Sequence, residues 1–237
     1  MIRTIRRRFS QNKNQITISK LNKKLKHLQI KTERSKFVPS NKKAMSKAER
    51  TRQFIIEASA PIINKKGMAG TSLSDIMEAT KLAKGGIYGN FENKEEICKE
   101  SFLYLRSQLS TKLNTAVAEG KSAKEKLFNL LDVYANDINT ADGCPILNFG
   151  TEADDTNPAM KEQVKKAIRS AQNRFFIIAE EGIKNKELSS DINPEHFSIK
   201  VFAMIEGAIL CRKILGNDDQ MKIILNSIKT EFENYVL

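Results

Sequence analysis

Apolar residues recur along most of the chain at intervals of three and four, and period-two alternation is absent at any useful length. That pattern predicts an all-α fold. From Lys47, the positions Phe54, Ala58 and Ile62 recur every fourth residue, with Ile55 and Ile63 widening the stripe until Gly67 ends it. Pro61 lies inside this first helix, where the loss of one backbone donor predicts a kink. In "TSLSDIMEAT", Thr71 or Ser72 stands at an N-cap, Asp75 completes a capping box with Ser72, and Leu73, Ile76 and Met77 face inward.

The remainder reads as long amphipathic helices. Cys98, Phe102, Leu105, Leu109, Leu113 and Ala116 mark one stripe, and Leu127, Leu130, Leu131, Tyr134 and Ile138 the next. Val164, Ile168, Ala171, Phe175, Ile178 and Ile183 mark a third. Phe197, Val201, Met204, Ile205, Ala208 and Ile209 mark a fourth, and Met221, Ile224, Leu225, Ile228, Phe232 and Tyr235 a fifth. There is no internal repeat.

One segment interrupts the regularity. "KLAKGGIYGNFENKEE", residues 81–96, holds Gly85, Gly86 and Gly89 beside Tyr88 and Phe91. Each glycine costs a helix roughly 1 kcal/mol relative to alanine. Either the segment is a loop, or something approaches its backbone closely. Leu82, Ile87 and Phe91 are its core candidates, and a new helix starts near Asn93.

Charge divides the chain. The formal net charge is +12, but residues 1–44 hold fourteen Lys/Arg against a single acid, Glu33. Residues 45–94 are mildly basic and 95–237 mildly acidic. The basic stretch predicts disorder with a transient helix near residues 19–30. Its composition also fits a transit peptide or a nucleic-acid-binding arm. "MSKAERTR" at Met45 reads as an ordinary protein start, which makes an upstream in-frame extension a further reading of 1–44. No run approaches the roughly 20 apolar residues of a membrane span, and no signal-peptide core is present. Cys98, Cys144 and Cys211 form no C-x-x-C pair, and His27 and His196 are the only histidines, so neither disulfides nor a metal or other cofactor is expected and a cytoplasmic home fits.

Short helices, the second hydroxyl-capped and the third preceded by a brief turn, describe a helix-turn-helix. Residues 51–97, "TRQFIIEASAPIINKKGMAGTSLSDIMEATKLAKGGIYGNFENKEEI", resemble the DNA-binding domain of the TetR family of bacterial transcriptional regulators. The resemblance rests on the Gly67 break, the Thr71-Ser72 entry, Asp75-Ile76, Lys84-Gly85-x-x-Tyr88-x-x-Phe91 and Asn93-Lys94-Glu95-Glu96. It implies a DNA-binding domain over 45–93, a ligand-binding and dimerisation domain over 94–237, a homodimer on a pseudo-palindromic double-stranded operator, a small-molecule effector, and no enzymatic activity.

It further implies that Leu82 to Asn90 is the recognition helix, with Gly85 and Gly86 admitting DNA to the backbone. Lys84 then serves a guanine edge or phosphate, Tyr88 a phosphate and a thymine methyl, and Asn90 a phosphate or adenine. Thr71, Ser72 and Lys94 are phosphate candidates at helix starts, although the hydroxyls would cap in any case. The chain departs from the family's common pattern at Gly86, Gly89 and Asn90, which leaves fewer side chains for base reading.

In the body, "GCPILNFGTEADDTNPAM" resembles a segment of one subset of the family. Cys144 precedes Pro145 and is placed as an N-cap, where the helix dipole would lower its pKa and make it a redox or electrophile sensor; the alternative is a packed, inert thiol. Phe102, Leu105, Phe149, Phe175 and Phe202 are candidates for a ligand pocket, or for ordinary core. Ala203, Gly207, Ile224, Ile228 and Phe232 are candidates for the dimer interface. The competing classes are a nucleic-acid binder without ligand control and a helical-bundle enzyme. No Glu-x-x-His pair supports the latter, and Asp154-Asp155 lacks a further carboxylate at helical spacing.

Overall fold

The structure, a computed structural model, describes residues 45–136, 142–153 and 157–237. The readings made for 1–44, and those for Ile138 and Asp154-Asp155, lie outside the described residues. Helix α1 spans Lys47–Lys66 and opens with a capping box in which Ser46 and Glu49 each take the other's backbone N–H. It runs on through Pro61 and ends at Gly67, whose φ of 83° lies in the left-handed region that favours glycine. Helix α2, Leu73–Thr80, is capped reciprocally by Ser72 and Asp75, so Ser72 and not Thr71 is the N-cap. Helix α3, Lys84–Tyr88, is shorter at both ends than the nine residues expected, with Ala83 as its N-cap and Gly89 as its C-cap.

Helix α4, Lys94–Glu119, starts at Asn93, whose side chain accepts the Glu96 N–H. Then come α5, Ala123–Asn136, and α6, Pro145–Ala153. Helices α7, Pro158–Lys184, and α8, Pro194–Leu215, precede α9, Asp219–Glu233. Proline opens α6, α7 and α8, the position where its missing N–H costs nothing. Among the described residues the fold is helical, with a single isolated β-bridge between Leu188 and Val236.

The apolar stripe of α1 is rotated from the expected one. Phe54 is 46% exposed, whereas Ile55, Ile56, Ser59, Ala60 and Ile63 are buried. Serine in the middle of the buried face hid it from a purely apolar pattern.

Two apolar clusters organise the packing. One gathers Leu127, Leu130, Phe175, Val201, Ile205, Leu225 and Phe232 from α5, α7, α8 and α9. The other holds Ile55, Ile63, Ile76, Ile87 and Phe91 of the front helices together with Phe102, Phe149, Met160 and Val164. The second cluster therefore crosses the boundary drawn between residues 93 and 94, where α4 begins. Buried Arg212 of α8 closes the end of α5 by donating to the Ala135 carbonyl at 2.9 Å, while its Nε lies 2.7 Å from Asp218.

Candidate nucleic-acid interface and effector cleft

Lys84, Gly85, Gly86, Tyr88 and Gly89 share the exposed surface of α3, and Ile87 is the residue that anchors the helix in the core. Tyr88 is 37% exposed, with the Lys84 ammonium 5.9 Å from its ring centre. A Cβ added at Gly85 would meet nothing within 4 Å, and one at Gly86 would make only ordinary contact with Leu82. Neither glycine has a positive φ. Nothing inside the fold requires glycine at either position.

The neighbouring candidates divide. Ser72 is exposed at the start of α2, with its cap in place. Thr71 is not presented as expected: it is fully buried and its hydroxyl donates to the Gly67 carbonyl at 2.6 Å. Lys94 likewise turns inward. Its ammonium donates to the Met68 and Thr71 carbonyls at 2.9 and 3.0 Å, which pins the turn before α2 onto α4. Asn90 is half-buried, its amide donating to the Gly86 carbonyl at 2.8 Å while its own carbonyl accepts from Arg52. Arg52, which the sequence reading passed over, also lies 4.1 Å over the Phe91 ring and 2.6 Å from Glu96. It fastens the segment after α3 to α1 and α4. Asp75 is paired with Lys66 at 2.6 Å, and that bond, with those from Ser72, holds its carboxyl down at about 2.

Helix α6 is tied to the front module at both ends. At its start, Asn148 donates to the Asn64 backbone carbonyl of α1 at 2.9 Å and to the Asp142 carbonyl at 2.6 Å. Near its end, Glu152 accepts the N–H groups of Met68 and Ala69 at 3.0 and 2.9 Å. The positive φ of Gly67 favours glycine there, and an added Cβ would lie 2.0 Å from Glu152 Oε1, so that carboxylate would have to shift off the turn.

The same helix forms one wall of a cleft of about 430 Å³, within the range of small-molecule sites. Ile146, Leu147, Val164, Ile168 and Phe202 make it apolar, and Lys161, Lys165 and Glu206 contribute charge. Of the five apolar residues expected to line a pocket, Phe202 alone borders it. Phe102 and Phe149 pack on each other, ring centres 5.1 Å apart, in the cluster shared with the front module. Leu105 packs against that cluster from its edge. Phe175 is fully buried against Tyr134, 6.3 Å away. Aromatics suit a core as well as a pocket, and here the core took them.

Cys144 is 1% exposed, and its thiol donates to Glu206 Oε1 at 3.2 Å. Burial, then the nearby Glu206 charge, pushes its pKa well above the ordinary thiol value. The N–H groups at the start of α6 oppose this and are outweighed. The expectation of a low-pKa sensor thiolate is thereby corrected: Cys144 is a buried, neutral thiol. Cys98 is also pushed up by burial, to about 11.

Glu206 carries no mark in an apolar-periodicity reading, although it is the only acid between Phe197 and Cys211. Its Oε2 is buried without a hydrogen-bond partner. Burial raises its pKa to about 7, partly offset by the Cys144 bond. Because the ordinary value is 4.5, the folded chain binds more protons than the unfolded chain between those limits, and stability falls as pH rises through that window. The displacement corresponds to at most about 3 kcal/mol. Glu206→Gln is therefore expected to stabilise the protein at pH 8 by up to that amount and to change little at pH 4.5. Urea denaturation of both proteins at the two pH values measures the difference. An equal effect at both would contradict it.

The predicted interface residues also separate. Ala203 and Gly207 are exposed on α8, in a stripe with Ile199, Leu210 and Ile214. Ile214 is 72% exposed, and Ile223 of α9 64%. Ile228 and Phe232 are fully buried within the chain, where Phe232 packs on Phe197 at 5.4 Å, and Ile224 is half-buried. Ile228 and Phe232 therefore face the chain's own core and not a partner, because an apolar repeat does not tell an intrachain face from an intersubunit one.

Comparison with known proteins bears on the whole arrangement. Residues 55–100 match the model of bacterial regulatory proteins of the tetR family, and residues 123–228 that of the tetracyclin repressor-like C-terminal domain. A TetR-family transcriptional regulator from Cytophaga hutchinsonii is 38% identical, with a TM-score of 0.75 over 82% of this chain and 99% of that one. A TetR transcriptional regulator from Chloroflexus aurantiacus is 30% identical, with a TM-score of 0.77 over 81% and 98%. The HTH-type transcriptional regulator TtgR of Pseudomonas putida is 22% identical over 173 residues, 71% of this chain and 82% of its own length. No described helix is long and apolar enough to cross a membrane. With its capped α2, its glycine-faced α3 and a helical body matched along nearly the full length of such regulators, the chain belongs to the TetR family of DNA-binding transcriptional regulators and is not an enzyme.

Proposed function

We propose that the protein is a cytoplasmic, homodimeric repressor that binds a pseudo-palindromic operator through α3 and is released when a small molecule occupies the cleft beside α6. The bare backbone at Gly85 and Gly86 carries the DNA-contact reading. These glycines weaken a five-residue helix, and neither φ nor packing accounts for them. Close approach of a DNA backbone or base edge does account for them. Lys84 and Tyr88 flank this surface as phosphate and base-edge contacts, and Ser72 offers a helix start to a neighbouring phosphate.

The ties on α6 support the route of release. A ligand that displaces Ile146, Leu147 or Gly150 acts on the helix whose Asn148 and Glu152 hold the end of α1 and the turn before α2. It lowers operator affinity only as far as it binds better to the conformation with mismatched recognition helices. Helix α4, pinned by Lys94, is the second connection.

The test uses an operator selected from random DNA at near-physiological salt, where a pseudo-palindrome with half-sites about 34–36 Å apart is expected. Gly85→Ala should leave the melting temperature unchanged or slightly raised and weaken binding to that operator at least tenfold. Unchanged affinity in a folded variant, or salt-dependent binding with no preferred sequence, would refute the DNA reading.

A further inference from the structure

Glu206 lies where two spaces meet. With Ile146 it borders both the apolar cleft and a smaller inner cavity lined by Arg106, Tyr134, Cys144 and Arg174. Its two oxygens differ: Oε1 accepts the Cys144 thiol, whereas Oε2 is out of contact with solvent and accepts from nothing. A buried carboxylate oxygen in that condition forfeits a hydrogen bond that water would have supplied. Arg174 lines the inner cavity but directs its guanidinium to Asn114, at 2.9 Å, and to Ser110, and makes no bond to Oε2. When ionised, the unsatisfied group beside the cleft is thus an acceptor, and its complement is a donor.

We infer that the effector is an apolar molecule bearing an amine, its hydrocarbon body against Ile146, Leu147, Val164, Ile168 and Phe202 and its ammonium on the carboxylate of Glu206. This assignment rests on the reading of the cleft as the effector site. The apolar walls supply burial but no direction, and Glu206 supplies the direction. Cys144 acquires a role different from that of a sensor: its thiol occupies Oε1 and leaves Oε2 for the ligand N–H, which reaches it by displacing the side chains that now cover it. Lys161 and Lys165 border the same cleft, so an anionic amphiphile is the rival occupant.

Three probes with one hydrocarbon body separate the possibilities: 4-phenylbutylamine, 4-phenylbutan-1-ol and 5-phenylpentanoate. Each is titrated calorimetrically into the full chain and into Glu206→Gln. The amine is expected to bind best to the unsubstituted protein and to lose about ten- to a hundredfold in affinity in the variant, the range of a hydrogen bond to a charged group. The alcohol should bind both proteins alike. Equal binding of amine and alcohol, untouched by the substitution, overturns the inference, as does failure of all three to bind. So does tightest binding by the carboxylate with loss in Lys165→Ala, which would make this an anion site. The ranking in the unsubstituted chain decides the matter even if the variant does not fold. Binding of ligand-free protein to the selected operator is measured in parallel. Its loss would strike the regulator reading, whereas intact DNA binding without an amine preference strikes the ligand class alone.

Discussion

Replacing Gly207 with arginine is expected to turn the proposed dimer into monomers and to lower operator affinity by about a thousandfold. Gly207 sits on the outer face of α8, where an added Cβ would meet nothing within 4 Å of the same chain. Arginine at an exposed helix-interior position improves helix propensity by nearly 1 kcal/mol over glycine, so the fold should survive. The surface around it is otherwise apolar. Ile199, Ala203, Gly207, Leu210 and Ile214 follow one another along α8 at intervals of three and four, all exposed, and Ile223 of α9 is exposed as well. Such a stripe marks an interaction surface, and a small residue at its centre lets a partner helix come close. A guanidinium there opposes its own symmetry mate across a two-fold axis and must lose its water. A monomer presents one recognition helix, and the gap between specific and non-specific DNA binding, about a thousandfold or more, is what the second half-site would supply. Sedimentation at micromolar concentration with parallel operator titration provides the check. A variant that stays dimeric, or a monomer with full affinity, would refute the assignment of this face.

The second large effect is on stability. Phe102→Ala should cost about 3–5 kcal/mol, the usual range for emptying a buried aromatic site. Phe102 is fully buried on α4, its ring against Phe149 of α6, in the cluster that also holds Ile87 and Phe91. The void would open where the helix-turn-helix meets the body. The melting temperature should fall by roughly 6–20 °C, given about 2–4 °C per kcal/mol for a chain of this size. Protein concentration must be held fixed, because association contributes to the apparent stability. A residue that merely touched an effector would give the opposite pattern, a loss of ligand affinity with little change in melting.

The sequence by itself determined the helices and, α3 apart, the caps at which several of them begin. A period near 3.6 survives without any structure because it follows from backbone geometry. Caps such as Ser72 with Asp75, Asn93, and the prolines at 145, 158 and 194 act within one turn of the chain. The helix-turn-helix was legible for the same reason, its turn chemistry being local. Only the tertiary structure decided which face of each helix is covered and by what. In "FSIKVFAMIEGAILC", residues 197–211, apolar side chains point nearly all round the helix. Val201, Ile205 and Ile209 are buried while Ile199 and Leu210 are exposed, a division set by where α7 and α9 pack and not by hydrophobicity. Lys94 and Thr71 resembled phosphate ligands until the turn before α2 claimed both, since a side chain's partner depends on what lies within its reach. Glu206 shows the limit most clearly. Its isolation among apolar residues is visible in the sequence, but the same isolation would mark a solvent-facing position, and only the packing of α6 and α7 around it turns one carboxylate oxygen into a buried acceptor without a partner.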